Sequence, residues 1–230
     1  MNGMDNTLIT HHDPKSPVAE AFRTLRTNLQ FSALDRELRT LLVTSAGPGE
    51  GKSTVITNLA VAVAQSGKSV ILVDADLRKP VIHKRFGLGN DVGLTNILVH
   101  GPAESVLQDV GIANLQVVTS GPIPPNPAEM LDSGMMEKTR DFLKEKADIV
   151  LFDCPPVVAV TDAALLSRKM DGVLLVVQLG SVEREAARRA KTLLENVQAP
   201  LLGLVINNIP AAGGYYYYYY YSDEDEEEYD

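Results

Sequence analysis

Eight consecutive residues carry the densest chemical information in this chain: Ala46-Gly47-Pro48-Gly49-Glu50-Gly51-Lys52-Ser53. Glycines let a backbone turn so that successive N–H groups point at one anion. A lysine followed by a hydroxyl residue adds a cation for phosphate oxygens and an oxygen ligand for a hard metal ion. The spacing is that of a phosphate loop, except that Ala46 stands where the pattern has its first glycine. A small residue fits there if its φ stays negative. On this reading Gly47, Pro48, Gly49, Glu50, Gly51, Lys52, Ser53 and Thr54 form the ATP-binding set. Lys52 reaches the β- and γ-phosphates, Ser53 ligates Mg²⁺, and Thr54 meets the α-phosphate. The bland alternative is a glycine-rich turn with a surface lysine. The apolar run before the loop and the amphipathic pattern after it argue against that.

Two further apolar runs end in carboxylates. Val70-Ile71-Leu72-Val73 leads into Asp74-Ala75-Asp76-Leu77-Arg78, and Ile149-Val150-Leu151-Phe152 leads into Asp153. In parallel α/β sheets ligands gather at the carboxyl ends of the strands, so Asp74, Asp76 and Asp153 should converge on the loop. Buried carboxylates need a metal or a cation partner. Mg²⁺ takes one or two carboxylates and completes its shell with phosphate oxygens and water. Ser53, Asp76 and Asp153 are the metal candidates, and Asp74 is the candidate base for an incoming hydroxyl. The alternative for Asp74 or Asp76 is structural: a cap on the following helix, or a pair with Arg78.

These groups require a scaffold of strands and helices. The pattern predicts strands over Arg39–Ser45, Ser69–Asp74, Leu115–Thr119, Asp148–Asp153, Val173–Gln178 and Leu201–Asn207. It predicts helices from Pro17 to Phe31 (Ser16 as N-cap, with Val18, Phe22, Leu25 and Leu29 as its stripe), from the loop to Gln65, and over 136–146 and Val182–Val197. Val55, Leu59 and Val63 give the helix after the loop one packing face. Shorter helical pieces are predicted over Pro80–Phe86 and Leu94–Val99. The Pro-rich GPIPPNPAEM stretch reads as a loop running into a helix. Strands that are continuous apolar runs, alternating with helices, predict a mostly parallel twisted α/β sheet flanked by helices on both faces. The divisions expected are an irregular start (1–15), one domain (16–212) and a disordered acidic tail (213–230).

Composition narrows the functional classes. The net charge is −9, and the seven acids between Ser222 and Asp230 leave −2 on the rest. No strongly basic face is implied, which argues against nucleic acid as a main partner. The single cysteine, Cys154, allows no intrachain disulfide, and a reducing, cytoplasmic setting is expected. No run approaches the length of a membrane span, and the start has no secretory signal. His11, His12, His83 and His100 show no metal-site spacing.

AGPGEGKS, VILVDADLR and IVLFD together resemble the phosphate loop, the DxDxR segment and the second acidic strand of one family: the bacterial tyrosine kinases of capsule and exopolysaccharide systems. Arg78-Lys79-Pro80 and the run from Asp153 to Ala163 are also similar to it, and the resemblance spans about Lys15 to Asn208. Cys154 departs from the small polar residue expected there. The resemblance implies a P-loop NTPase fold, ATP and Mg²⁺ as cofactors, and a catalytic set of Lys52, Asp74, Asp76, Arg78 and Asp153. It implies phosphoryl transfer to tyrosines on other proteins and on the kinase's own tail. It also implies a transmembrane adaptor of the polysaccharide co-polymerase type, which would place the kinase at the inner face of the membrane.

The tyrosines fit that implication. All eight lie in the last sixteen residues: Tyr215, Tyr216, Tyr217, Tyr218, Tyr219, Tyr220, Tyr221 and Tyr229. A folded core ordinarily uses some tyrosine; the family offers autophosphorylation in trans as the reason for the segregation. The alternative is a low-complexity tail that is never phosphorylated. Glu20, Arg23 and Arg26, spaced three apart, resemble a family motif that joins subunits into a ring; the bland reading is a local Glu20–Arg23 pair. Two other functions stay in view. One is a nucleotide-switched assembly ATPase of the partition and division-site class; its second loop lysine is replaced here by Gly47. The other is a binding module with vestigial catalysis.

Overall fold

The computed structural model describes residues 4–32, 37–180 and 183–209. The expected domain end at 212, the tail with all eight tyrosines, and Val182 lie outside the described residues.

Among the described residues seven strands form one sheet: β1 (Thr40–Ser45), β2 (Val70–Asp74), β3 (Gln108–Asp109), β4 (Leu115–Val118), β5 (Ile149–Asp153), β6 (Gly172–Gln178) and β7 (Leu201–Asn207). Their order is β3-β4-β2-β5-β1-β6-β7, and every pairing is parallel except β3 with β4. The helices are α1 (Ile9–His12), α2 (Pro17–Ser32), α3 (Lys52–Ala64), α4 (Ile82–Arg85), α5 (Leu94–His100), α6 (Pro127–Asp132), α7 (Gly134–Lys146), α8 (Asp162–Ser167) and α9 (Arg184–Asn196).

Two cores cover the two faces. Side chains alternate along β1, so Leu41 and Val43 join Ile56, Leu59, Leu29 and Ile82 on one side. Leu42 joins Phe152, Leu143, Leu166 and Leu194 on the other. The doubly covered parallel sheet read from the sequence is therefore the fold. β1, β2 and β5 are buried along their whole length, which is why their sequences show no polar alternation. β7 lies at the edge, and Leu204 stays 55% exposed.

Several local expectations shift. α3 is buried nearly all round rather than on one face, because α1 and α2 cover the side away from the sheet. Ser16 caps α2 as expected, its Oγ accepting the Ala19 N–H at 3.2 Å. Val18, however, is 51% exposed, and the buried face of α2 starts instead at Ala19 and continues through Phe22, Leu25 and Leu29. The start of the chain contains one helical turn, α1, and is docked. Leu8 is wholly buried, and the Asn58 side chain holds the Thr10 N–H and the Thr7 carbonyl at 2.9 and 2.8 Å. β3 and α8 have no counterpart in the sequence pattern; at two and six residues they are too short to carry a period.

α2 carries the three residues expected at a subunit interface. Glu20 and Arg23 pair at 2.7 Å on the surface, while Arg26 turns inward and donates to the Ala62 carbonyl of α3 at 2.9 Å. If α2 nonetheless joins subunits, replacing Glu20, Arg23 and Arg26 together with Ala should reduce the particle mass to that of a monomer in light scattering. An unchanged mass removes the interface reading.

Candidate active site

The strand order builds the site. β5 lies between β1 and β2, and Asp153 at its end is in register with Val43 of β1 and with Asp74 of β2. The loop leaving β1 and the two carboxylates are therefore neighbours, although residues 52, 74 and 153 are far apart in sequence.

The loop turns on glycines where it must. Gly49 and Gly51 have φ of +80° and +88°, a region costly for any side chain, and Gly51 then serves as the N-cap residue of α3. Ala46 is not among the residues with positive φ, so alanine is tolerated there. The buried α3 directs its N-terminus at the loop's concavity, where backbone N–H groups and the helix dipole favour an anion.

Lys52 is the hub. Its Nζ lies 3.0 Å from Asp76 Oδ2, 3.4 Å from Asp153 Oδ1 and 3.2 Å from Ser53 Oγ. Burial disfavours the ammonium, but the Asp153 and Asp76 carboxylates outweigh it and raise its pKa. Ser53 Oγ donates to Asp153 Oδ2 at 2.5 Å. Asp153 is fully buried; burial raises its pKa, against the pull of Lys52 and of the Ser53 hydrogen bond. Asp74 is fully buried too. Burial first, and then the charge of Asp153, push its carboxyl up to about 8.

Asp74 also has a structural duty. Its Oδ2 accepts the N–H groups of Val81 and Ile82, both at 3.0 Å, and so caps α4; its Oδ1 faces the Asp76 N–H at 3.3 Å. Asp76 Oδ1 accepts the Lys79 N–H at 2.9 Å, which fixes the turn after β2 and leaves Oδ2 for Lys52. Arg78 does not reach the lysine. It forms a two-pronged pair with the buried Asp162 at the start of α8, both contacts at 2.9 Å, and so ties the segment after β2 to the one after β5. Thr54 Oγ1 accepts from Arg85 Nη2 at 3.0 Å. Cys154, packed in the core, has its thiol pKa raised by burial and is held as an unreactive thiol.

Three contributors escape a reading of the sequence. Asn207, the last residue of β7, donates from Nδ2 to the Glu50 carbonyl at 3.0 Å. Asp162 lies within the run noted for its resemblance, with no role attached. Arg85 joins the loop helix to the docked N-terminal segment through Thr7 and Asp5. None has a signal in linear spacing, since each partner is supplied by a distant element.

The donor set suits a hard cation. A serine hydroxyl and a carboxylate oxygen sit together beside a phosphate-type loop, where the Lys52 ammonium contacts Asp76 and Asp153. Among the described residues, no group of three or more His, Cys, Asp or Glu could hold a metal ion by itself. An ion that completes its shell with phosphate oxygens fits this arrangement, and Mg²⁺ is such an ion.

Comparison with known proteins agrees with the geometry. Residues 38–212 match the ParA family model, described as NUBPL iron-transfer P-loop NTPase. The chain is 46% identical over 205 residues to tyrosine-protein kinase YwqD of Bacillus subtilis, covering 89% of this chain and 86% of that protein. Its fold superposes on the chimerical protein CapA2B2 with a TM-score of 0.86 at 40% identity, covering 91% of this chain and 92% of the other. The kinase domain of Escherichia coli tyrosine kinase ETK gives 0.87 at 31% identity, covering 94% and 85%. With its nucleotide-binding loop on a ParA-type sheet and relatives of this identity, the chain belongs to the P-loop family of bacterial tyrosine kinases.

Proposed function

We propose that this chain transfers the γ-phosphoryl group of Mg·ATP to tyrosine hydroxyls, including Tyr215–Tyr221 and Tyr229 of a neighbouring copy in a ring. The carrying observation is the Lys52 ammonium held between Asp76 and Asp153 beside the loop, in a chain whose relatives are named tyrosine-protein kinases.

The loop amides and Lys52 hold the triphosphate and stabilise the charge that spreads over the transferred group. The tyrosine oxygen attacks the γ-phosphorus. A new O–P bond forms as the bond to the β,γ-bridging oxygen breaks, and ADP departs with that electron pair. The phenolic proton passes to Asp74. Asp76 and Asp153 orient Lys52, and Asp153 with Ser53 forms the metal-facing edge. Ser53, Asp76 and Asp153 would hold Mg²⁺, whose charge would offset that of the phosphates and draw the Asp74 carboxyl toward its charged form. Arg78 acts through Asp162 by fixing the two acidic loops against each other.

By its family, the kinase serves capsular or exopolysaccharide polymerisation and export, works at the cytoplasmic face of the membrane through a transmembrane adaptor, and modifies other tyrosine-bearing proteins. None of the described helices is long and apolar enough to cross a membrane.

The test is the intact mass of the protein after phosphatase treatment and then Mg·ATP, with adaptor segment supplied. A ladder of phosphate additions mapping to the tail is expected. Release of ADP with no change in mass would sink the kinase reading.

A further inference from the structure

We propose that Glu50 and Asn207 are positioning residues that brace the phosphate loop in its anion-accepting shape and bolt it to the open edge of the sheet. This rests on the nucleotide-binding reading of the loop given above.

A loop that contains Gly47, Gly49 and Gly51 has much conformational freedom to lose, and its crest offers little packing. A Cβ placed on Gly49 would meet nothing within 4 Å. Ordering must come from elsewhere, and Glu50 provides it twice. Its side chain folds back so that Oε1 accepts the Gly47 N–H, closing the turn across Pro48 and Gly49. Its backbone carbonyl accepts from Asn207 Nδ2 at 3.0 Å. Asn207 is itself fixed, because its own carbonyl accepts the Leu179 N–H at 3.0 Å just beyond β6.

The second contact has a direct consequence for phosphate. The Glu50 carbonyl and the Gly51 N–H belong to one planar trans peptide and point in opposite directions. Holding the carbonyl toward Asn207 therefore aims the Gly51 N–H away from it, into the loop. The fit is close: a Cβ on Gly51 would lie 2.1 Å from Asn207 Nδ2. Glu50 is only 2% exposed, and its Oε2 has no hydrogen-bond partner. Burying a carboxyl with one oxygen unsatisfied is unfavourable, and the return for it is the shape of the loop.

The probe is Mg-tripolyphosphate, which has phosphates but no base, competing with a fluorescent ATP analogue on the full chain. Thermal melts verify that each variant is folded. Glu50→Ala and Asn207→Ala should each weaken tripolyphosphate binding by about tenfold, the upper range for one lost hydrogen bond. Glu50→Gln should stay within about twofold of the parent, because its Oε1 can still accept the Gly47 N–H. Parent-like binding in both alanine variants overturns the inference. So does an Asn207→Ala variant that loses the ATP analogue but keeps tripolyphosphate, since that marks a contact to the base. Equal losses in Glu50→Gln and Glu50→Ala overturn the acceptor role. A parent chain that binds neither probe removes the nucleotide-binding reading, and this inference with it.

Discussion

Replacing Lys52 with Met is expected to cut phosphoryl transfer by roughly 10²–10³-fold or more, the usual cost of losing one preorganised donor to the transition state. The same change should destabilise the protein before any substrate is added. Lys52 neutralises Asp76 and Asp153 in a buried setting, and removing one partner of a buried pair costs about 3–5 kcal/mol. Methionine fills the volume but leaves the carboxylates uncompensated. Asp153, already pushed up by burial, can recover neutrality only by taking up a proton, so the loss should be larger at pH 8 than at pH 5. Urea unfolding at the two pH values, beside a single-turnover phosphorylation assay, measures both effects. A variant with normal transfer removes Lys52 from the chemistry. A stability loss independent of pH would falsify the electrostatic account.

Asp74→Asn should separate two duties of one side chain. As the base, Asp74 is expected to contribute roughly 10²–10⁴-fold, and the variant should lose that much of its rate. As a buried carboxyl it should behave in the opposite sense. Burial and the Asp153 charge raise its pKa to about 8, from an ordinary 3.8 in the unfolded chain. Between those values the folded protein holds a proton that the unfolded chain has released. The stability from this group is full below pH 3.8 and is lost as pH rises through 8. Asp153, shifted in the same direction by burial, adds to the slope. The parent without nucleotide should therefore melt at a lower temperature at pH 9 than at pH 6. The Asp74→Asn change removes one titrating group and relieves Asp153, so the variant should show a shallower fall. Parallel melting curves for the two proteins exclude the raised carboxyl. A variant that keeps more than about a tenth of the parent rate excludes the base.

How much of this could be read before the structure follows a physical divide. The segment from β1 through the loop into α3 was legible because each requirement is local: a continuous apolar strand, glycines where the backbone turns, and a lysine and serine opening a helix. Asp74 and Asp153 were legible as strand-end acids because parallel sheets present that end to ligands. What remained hidden is set by strand order. Nothing local says that β5 inserts between β1 and β2, yet that insertion brings Asp153 to Lys52. The brace from Asn207 to Glu50 spans most of the domain, and Arg78 finds Asp162 rather than the neighbouring Asp76 because α8 starts where the guanidinium points. Val18 and the docked Leu8 mark the limit of periodicity. A helical stripe says which side chains share a face, and the surface that covers them belongs to another part of the chain.

The position of β5 also bears on how the molecule comes into being. A nascent chain that has emerged as far as β2 holds two apolar strands that are not neighbours in the finished sheet. β2 can pair with β4 once Leu115–Val118 has emerged, but β1 must wait for a strand that starts at Ile149. At ordinary synthesis rates of about 5–20 residues per second, that delay is roughly 5 to 20 s. During it the glycine loop hangs from an unpaired strand, and the central pairing is non-local and slow to form. Whatever binds the finished loop can protect only the finished fold, so the most exposed stage in the life of this chain comes before its site exists.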